Sequence, residues 1–374
     1  MIYLDNGATS FPKPPAVYDG VNYYIRYCGA SAGRSAHKKA REAMEIALEC
    51  RIALADFINA DNPESIVFTK NATEGLNIMI RGMVKDGDKV IVSPLEHNSV
   101  MRPLYASNAE ISVLPLNEDG TSDMDALKNM LNGTKFVIIN HVSNVSGAIN
   151  DVYKAGNICA EAGIPLLIDC SQSMGHFEVN VKKLKASVAF PGHKGLLGPQ
   201  GTGGMYLHNI LPQALCFGGT GSDSESMIQP TTMPDYYESG TINLVGIAGL
   251  SKGIAFINSE GQQNIMEKEY ELTSILREGL GNMNGVHLLC PLLKDYGEAV
   301  SFTADSIDPS EIALILDEKY DIAVRSGLHC APAAHNAYGT IKSGTVRLTP
   351  GYFNTKKEMK IALNAINNIV NHRT

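Results

Sequence analysis

Between Ser65 and Leu207 the chain repeats one pattern: a short apolar, β-branched run, followed by a longer stretch with apolar residues three and four apart. The short runs fall at 66–69, 89–93, 111–115, 136–140, 165–169, 187–191 and 203–207 and read as strands. The stretches at 71–85, 98–107, 124–131 and 152–162 read as helices, and an Ala-rich amphipathic pattern predicts a long helix over 36–58. Crossovers of that length suit parallel neighbours, so the pattern predicts a mostly parallel sheet covered by helices.

The rhythm changes after Gly218. A stretch rich in Gly, Ser and Thr over 218–232 has no periodicity and is expected to form an exposed loop. Helical spacing resumes at Leu244, and a helix over 261–283 leads into strands near 299–303, 323–325 and 345–348, with helices at 310–319 and 356–370. This second set predicts a smaller α+β unit. With domains usually of roughly 100 to 200 residues, the 374-residue chain is expected to hold two.

Composition narrows the function classes. Hydrophobic residues at 44% and charged residues at 19% are the balance of a globular protein. The net charge of -8, with no basic run, argues against nucleic acid as a partner. No stretch approaches the ~20 apolar residues that span a bilayer, and no basic-then-apolar leader precedes the first strand, so a cytoplasmic location without membrane contact is expected. The seven cysteines lack CxxC spacing, which suggests neither a disulfide framework nor a metal site.

In open α/β sheets, ligands bind beyond the carboxyl ends of the strands, so the residues after each apolar run are the candidates. After 66–69 comes Lys70-Asn71-Ala72-Thr73-Glu74-Gly75, a helix start whose free N–H groups suit a phosphate or serve only as an ordinary cap. After 89–93 comes His97, able to stack on a flat ring and to exchange protons near neutral pH, or to bond the next helix start. The run Leu166-Leu167-Ile168 ends in Asp169, a carboxylate that needs a partner if buried; a protonated pyridine nitrogen would be one, and a cap of the next helix is the other reading. After 187–191 comes Gly192-His193-Lys194-Gly195, a lysine among glycines that can enter a pocket where desolvation favours the neutral amine, or stay on the surface as most lysines do. Arg347, after Thr345-Val346, has the forked geometry that clamps a carboxylate, or is a surface arginine of the smaller unit.

Taken in order, YLDNGATS (3–10), TKNATEG (69–75), EHNS (96–99), SNVSG (143–147), LIDCSQ (167–172), GHKGLLGPQG (192–201), ESGT (238–241) and RSGLHCAP (325–332) resemble the class V aminotransferase-fold cysteine desulfurases over nearly the whole chain. The compact segment around Cys330 is most similar to their second group, which includes selenocysteine lyases. The resemblance implies a pyridoxal 5'-phosphate enzyme of fold type I, an α/β chain with a mainly parallel seven-stranded sheet in a large domain over 16–259 and a smaller α+β domain formed by 1–15 and 260–374, acting as a homodimer. It implies that Lys194 is the imine lysine, Asp169 pairs with the pyridine nitrogen, Gln172 meets the ring hydroxyl and His97 stacks on the ring. Ala72, Thr73 and His193 match phosphate ligands, Thr241 matches one donated by the neighbouring subunit, Asn144 and Arg347 match substrate-carboxylate contacts, and Cys330 matches the sulfur-accepting nucleophile.

The implied reaction converts L-cysteine to L-alanine and leaves a persulfide on Cys330, for removal by an acceptor protein or a reductant. L-Selenocysteine as substrate, a related transamination, and a sulfur carrier without catalysis are the competing expectations. Two positions depart from the pattern: Pro191 stands where many relatives carry a phosphate-binding serine, and Leu328 where some second-group relatives carry a histidine.

Overall fold

Strands covered on both faces must be apolar on both faces, and the short runs of the first half meet that demand. The computed structural model describes residues 1–32, 37–222, 225–305 and 307–371. A two-residue strand, β1 (Ile2–Tyr3), opens the chain and lies apart from the sheet that follows. That sheet comprises β2 (Ile66–Thr69), β3 (Lys89–Val92), β4 (Glu110–Val113), β5 (Thr134–Asn140), β6 (Leu166–Asp169), β7 (Ser187–Pro191) and β8 (Gly203–Tyr206). Its order is β2-β8-β7-β6-β5-β3-β4; all neighbours pair parallel except β8, which runs antiparallel to both β7 and β2. Alternate residues feed opposite faces: Ile91, Val137, Ile139, Ile168 and Val188 join one buried cluster, Val90, Val92, Phe136, Ile138 and Leu167 the other.

From β2 at one edge the chain crosses to β3, next to the opposite edge, moves outward to β4, then returns on the other side of β3 as β5. This reversal opens a crevice between the carboxyl ends of β3 and β5, the place where such sheets bind ligands.

The second half builds β9 (Val286–Leu288), β10 (Val300–Ala304), β11 (Ile322–Ala323), β12 (Arg325–Gly327) and β13 (Thr345–Leu348). Four of these form an antiparallel sheet in the order β12-β13-β10-β9, packed on its own core with helices Gln262–Gly281, Pro309–Tyr320 and Lys356–Asn371. β11 instead pairs in parallel with β1, so the N-terminal strip joins this second unit.

Some local expectations change. The single strand expected at 323–325 is two, broken at Val324, because one part pairs with β1 and the other with β13. Strands of two or three residues are too short to show alternation. The edge strand expected at 111–115 starts at Glu110 and ends at Val113. A helix over Pro15–Tyr23 had no counterpart in the periodicity reading. The helix expected over 36–58 spans Lys38–Phe57, capped by His37 Nδ1 accepting from the Ala40 N–H; Ala36 lies outside the described residues. Of the loop expected at 218–232, residues 223 and 224 lie outside the described residues, and the rest contains neither helix nor strand. Among the described residues no helix is long and apolar enough to cross a membrane.

Candidate active site

Five strand ends deliver their following residues to one cleft. Its walls carry Ala72 and Thr73 after β2, His97 after β3, Asn144 after β5, Asp169 and Gln172 at and after β6, and His193 and Lys194 after β7. The helix Ala72–Met83 starts at the cleft because Asn71 caps it, its Oδ1 accepting from the Glu74 N–H at 2.9 Å. N–H groups of a first helical turn have no partner within the helix, so this start favours an anion. Thr73 Oγ1 lies 2.9 Å from Ser99 Oγ, which in turn lies 2.7 Å from His97 Nδ1, linking two walls.

Burial sets the charge states. Lys194 sits at the cleft floor; desolvation, then the positive charge of Arg347, bring its amine down to about 8, against the opposing pull of Asp169. Asp169 is 4% exposed and accepts the Ser171 N–H at 2.9 Å; burial raises its carboxyl above the ordinary range, an unfavourable position that a cationic partner in the cleft would relieve. His97 is held down to about 4 by burial and then by Lys194 and Arg325, so the ring is neutral, in contrast to the expected proton exchange near neutral pH. The Ser99 N–H donates to its Nδ1 at 3.0 Å, which leaves the other ring nitrogen to carry the proton. His193 is likewise neutral, and its Nδ1 is buried without a partner.

Arg347, on β13, reaches this region from the second unit and is 1% exposed. Its Nη2 pairs with Asp5 Oδ1 at 2.7 Å and its Nη1 donates to the Asn144 carbonyl at 2.9 Å, while Nε is buried with no partner. The Cys330 turn is held against the cleft by two bonds: the Asn98 N–H donates to the Cys330 carbonyl at 2.9 Å, and Asn144 Nδ2 to the His329 carbonyl at 2.8 Å. His329 and Cys330 both adopt left-handed backbone, with φ of 48° and 56°. Cys330 is exposed, and Arg325 Nη2 lies 3.4 Å from its sulfur.

One expected residue is elsewhere. Thr241 is exposed in a separate groove with Lys70, Glu74 and Gly201 to Gly203, outside the cleft of its own chain. The segment before it is anchored by a buried clamp, in which Arg51 Nη1 and Nη2 each donate to Glu238 at 2.8 Å.

Periodicity did not single out several residues that shape the cleft. Asp5 fixes Arg347. Ser10 and Lys13 brace the lysine loop: the Ser10 N–H and Lys13 Nζ donate to the His193 carbonyl at 3.1 and 2.8 Å, and Ser10 Oγ to the Lys194 carbonyl at 3.0 Å. Glu96 is fully buried behind the cleft, accepting the Asn140 N–H at 2.7 Å; burial and the nearby Asp169 push its carboxyl up to about 8. Asp5, Ser10 and Glu96 lie within motif runs, which was the available signal.

The fold and cleft define an open α/β protein with a lysine-centred site at the reversal point of its sheet. The chain belongs to the aminotransferase class-V family, which matches residues 2–361. It is 34% identical to a probable cysteine desulfurase of Pyrococcus abyssi, covering 99% of this chain and 94% of that one. A probable cysteine desulfurase of Methanothermobacter thermautotrophicus is 35% identical over 96% of this chain and 92% of its own length. Among solved structures, the apo cysteine desulfurase of Thermococcus onnurineus superposes with a TM-score of 0.89 at 33% identity, covering 99% of this chain and 94% of that one.

The family uses pyridoxal phosphate, and the residues present fit it. The cleft offers an amine of reduced basicity, a buried carboxylate in want of a cation, a helix start for the phosphate and an unpartnered buried nitrogen on His193.

Proposed function

We propose that the protein is a pyridoxal phosphate-dependent cysteine desulfurase that converts L-cysteine to L-alanine and collects the sulfur as a persulfide on Cys330. The observation that carries this reading is the joining of the Lys194–Asp169 cleft to the Cys330 turn through Asn144, which lines the cleft and bonds the turn. Lys194 would hold the cofactor aldehyde, Asp169 its ring nitrogen, Gln172 its ring hydroxyl, and Ala72, Thr73 and His193 its phosphate, with the neutral His97 ring against its face. When bound, the cofactor supplies an electron sink conjugated to the substrate α-carbon.

The protein groups do the rest. Arg347 offers its fork to the substrate carboxylate, with Asn144 beside it. The Lys194 amine is in range to be neutral at mildly alkaline pH and takes the α-proton. The Cys330 thiolate attacks the substrate sulfur; the Cβ–S bond breaks, its electron pair stays on Cβ, and protonation there gives the methyl group of alanine. The sulfur leaves as Cys330–S–SH, and an acceptor protein or thiol removes it. Arg325 Nη2, 3.4 Å from the Cys330 sulfur, is the cationic neighbour of the nucleophile where position 328 carries leucine.

We further infer a homodimer in which Thr241 of the partner subunit reaches the phosphate. Its exposed position outside its own cleft supports this, as does the exposed set Tyr23, Ile25, Tyr27, Met44, Leu48 and Ile52. The test of function is incubation of the purified, cofactor-loaded protein with L-cysteine and, in parallel, L-selenocysteine, measuring alanine together with sulfide or selenide. Alanine formed from cysteine in step with persulfide or sulfide is the expected result. A keto acid without alanine would overturn it, and turnover of selenocysteine alone would move the substrate to the selenium compound.

A further inference from the structure

Lys194 lines a second cavity that the chemistry above leaves unused, and the same walls carry His176, Glu269 and Glu298. The three come from distant parts of the chain. His176 sits in the turn after β6, where its N–H donates to the Ser173 carbonyl at 3.0 Å; Glu269 is on helix Gln262–Gly281; Glu298 precedes β10. His176 Nδ1 lies 2.7 Å from Glu269 Oε2 and 3.4 Å from Glu298 Oε1, and the two carboxylates are 2% and 5% exposed. The imidazole also packs against the residue that follows the lysine: a Cβ added to Gly195 would stand 2.5 Å from His176 Cδ2 and 2.7 Å from Nε2. Glycine at 195 is thus what lets this ring close on the lysine loop.

Two buried carboxylates share one imidazole, so a negative charge is left over when both are ionised. A buried charge is costly unless a cation faces it. On this cavity wall the next cation is Lys194. We propose that His176, Glu269 and Glu298 form a charged support that orients the Lys194 loop and tunes its amine, with Glu298 as the positioning residue. The proposal rests on Lys194 being the cofactor lysine.

Lys194 is near enough to the cluster for its charge to work against a charged His176. Burial opposes a charged His176, but Glu298 and Glu269 outweigh it and raise the ring to about 9. Burial raises Glu298 to about 7, against the pull of His176. The other groups facing Lys194 are Asp169 and Asp5, which favour its ammonium, Arg347 and Arg325, which disfavour it, and the neutral rings of His97 and His193.

The test uses cofactor-free protein and follows the absorbance change as pyridoxal phosphate is taken up, across pH. Removing a carboxylate from the support withdraws negative charge that holds the Lys194 proton. Glu298→Gln is therefore expected to move the midpoint of the uptake profile to lower pH by about half a unit or more, whereas Glu298→Asp stays with the wild type. If Glu298→Gln does not fold, Glu269→Gln is expected to shift the profile the same way. Profiles for the folded Gln variant and wild type that superimpose, while Lys194→Ala abolishes uptake, would overturn the support and leave the proposed function standing. Uptake by Lys194→Ala equal to wild type would remove both. A stoichiometric divalent ion in the purified protein, lost in Glu298→Gln, would also overturn the proposal, because the cluster would then be a metal site.

Discussion

The Lys194 loop and the Cys330 turn, the two regions to which the proposed chemistry is assigned, are built in opposite ways. Lys194 follows a fully buried strand, in a sheet whose pairing fixes its neighbours, and its loop carbonyls are braced by Ser10 and Lys13. Cys330 stands exposed on two successive left-handed residues, held to the cleft by two hydrogen bonds. The difference fits the two tasks proposed for them. A group that must meet the same ring atom in every cycle gains from rigid support. One that must take sulfur inside and surrender it outside needs a tether that can give.

The sharpest way to break this contrast is at the lysine. Lys194→Ala is expected to remove covalent cofactor binding and lower turnover of cysteine by about a thousandfold or more. Spectra of the purified variant check it; an unchanged bound-cofactor absorbance would defeat the assignment. Cys330→Ala should act on the other side only. Cofactor uptake stays as in wild type, while persulfide formation is lost and turnover of cysteine falls by roughly a hundredfold, measured as alanine released. A variant that also loses cofactor would show that the turn is part of the rigid region.

How much of this was readable from sequence follows the same divide. Asp169 and Lys194 were legible because apolar runs lead straight into them, and a parallel sheet puts the ends of such runs on one rim. Cys330 was legible only through its motif, since strands of two and three residues around it show no alternation. The folding back of the N-terminal strip, which brings Asp5 to Arg347 and Ser10 to the lysine loop, depends on the pairing of β1 with β11 and has no local signature. His176, Glu269 and Glu298 were invisible for a related reason: each is a single polar residue in an otherwise ordinary segment, and only the packing of three elements joins them.

The tether of the turn gives a smaller effect. Asn144→Ala deletes the bond to the His329 carbonyl, a neutral hydrogen bond worth about 1 kcal/mol. The turn should then leave its docked position roughly five times more often. Alkylation of Cys330 by iodoacetamide, counted by mass spectrometry in the cofactor-free protein, is expected to speed up by that factor. No acceleration would mean that Asn98 alone holds the turn.

The smallest effect expected lies in stability, where the two regions separate by pH. His176 has its ordinary value of 6.5 raised to about 9 on folding, so the stability it contributes is complete below about 6.5 and is lost as pH rises through 9. Glu298, raised from 4.5 to about 7, likewise keeps its proton better when folded; its contribution is present below 4.5 and lost as pH rises through 7. Both slopes have the same sign, so the melting temperature should decline by a few degrees between pH 5 and 9.5 on account of this cluster. Glu298→Gln removes the lower part of the decline and, with one carboxylate gone, moves the His176 part to lower pH. Calorimetric scans of the two proteins across that range are the check. Curves that stay parallel would mean the cluster does not titrate with folding, whereas Cys330→Ala, on its exposed turn, should leave the wild-type curve unchanged in shape.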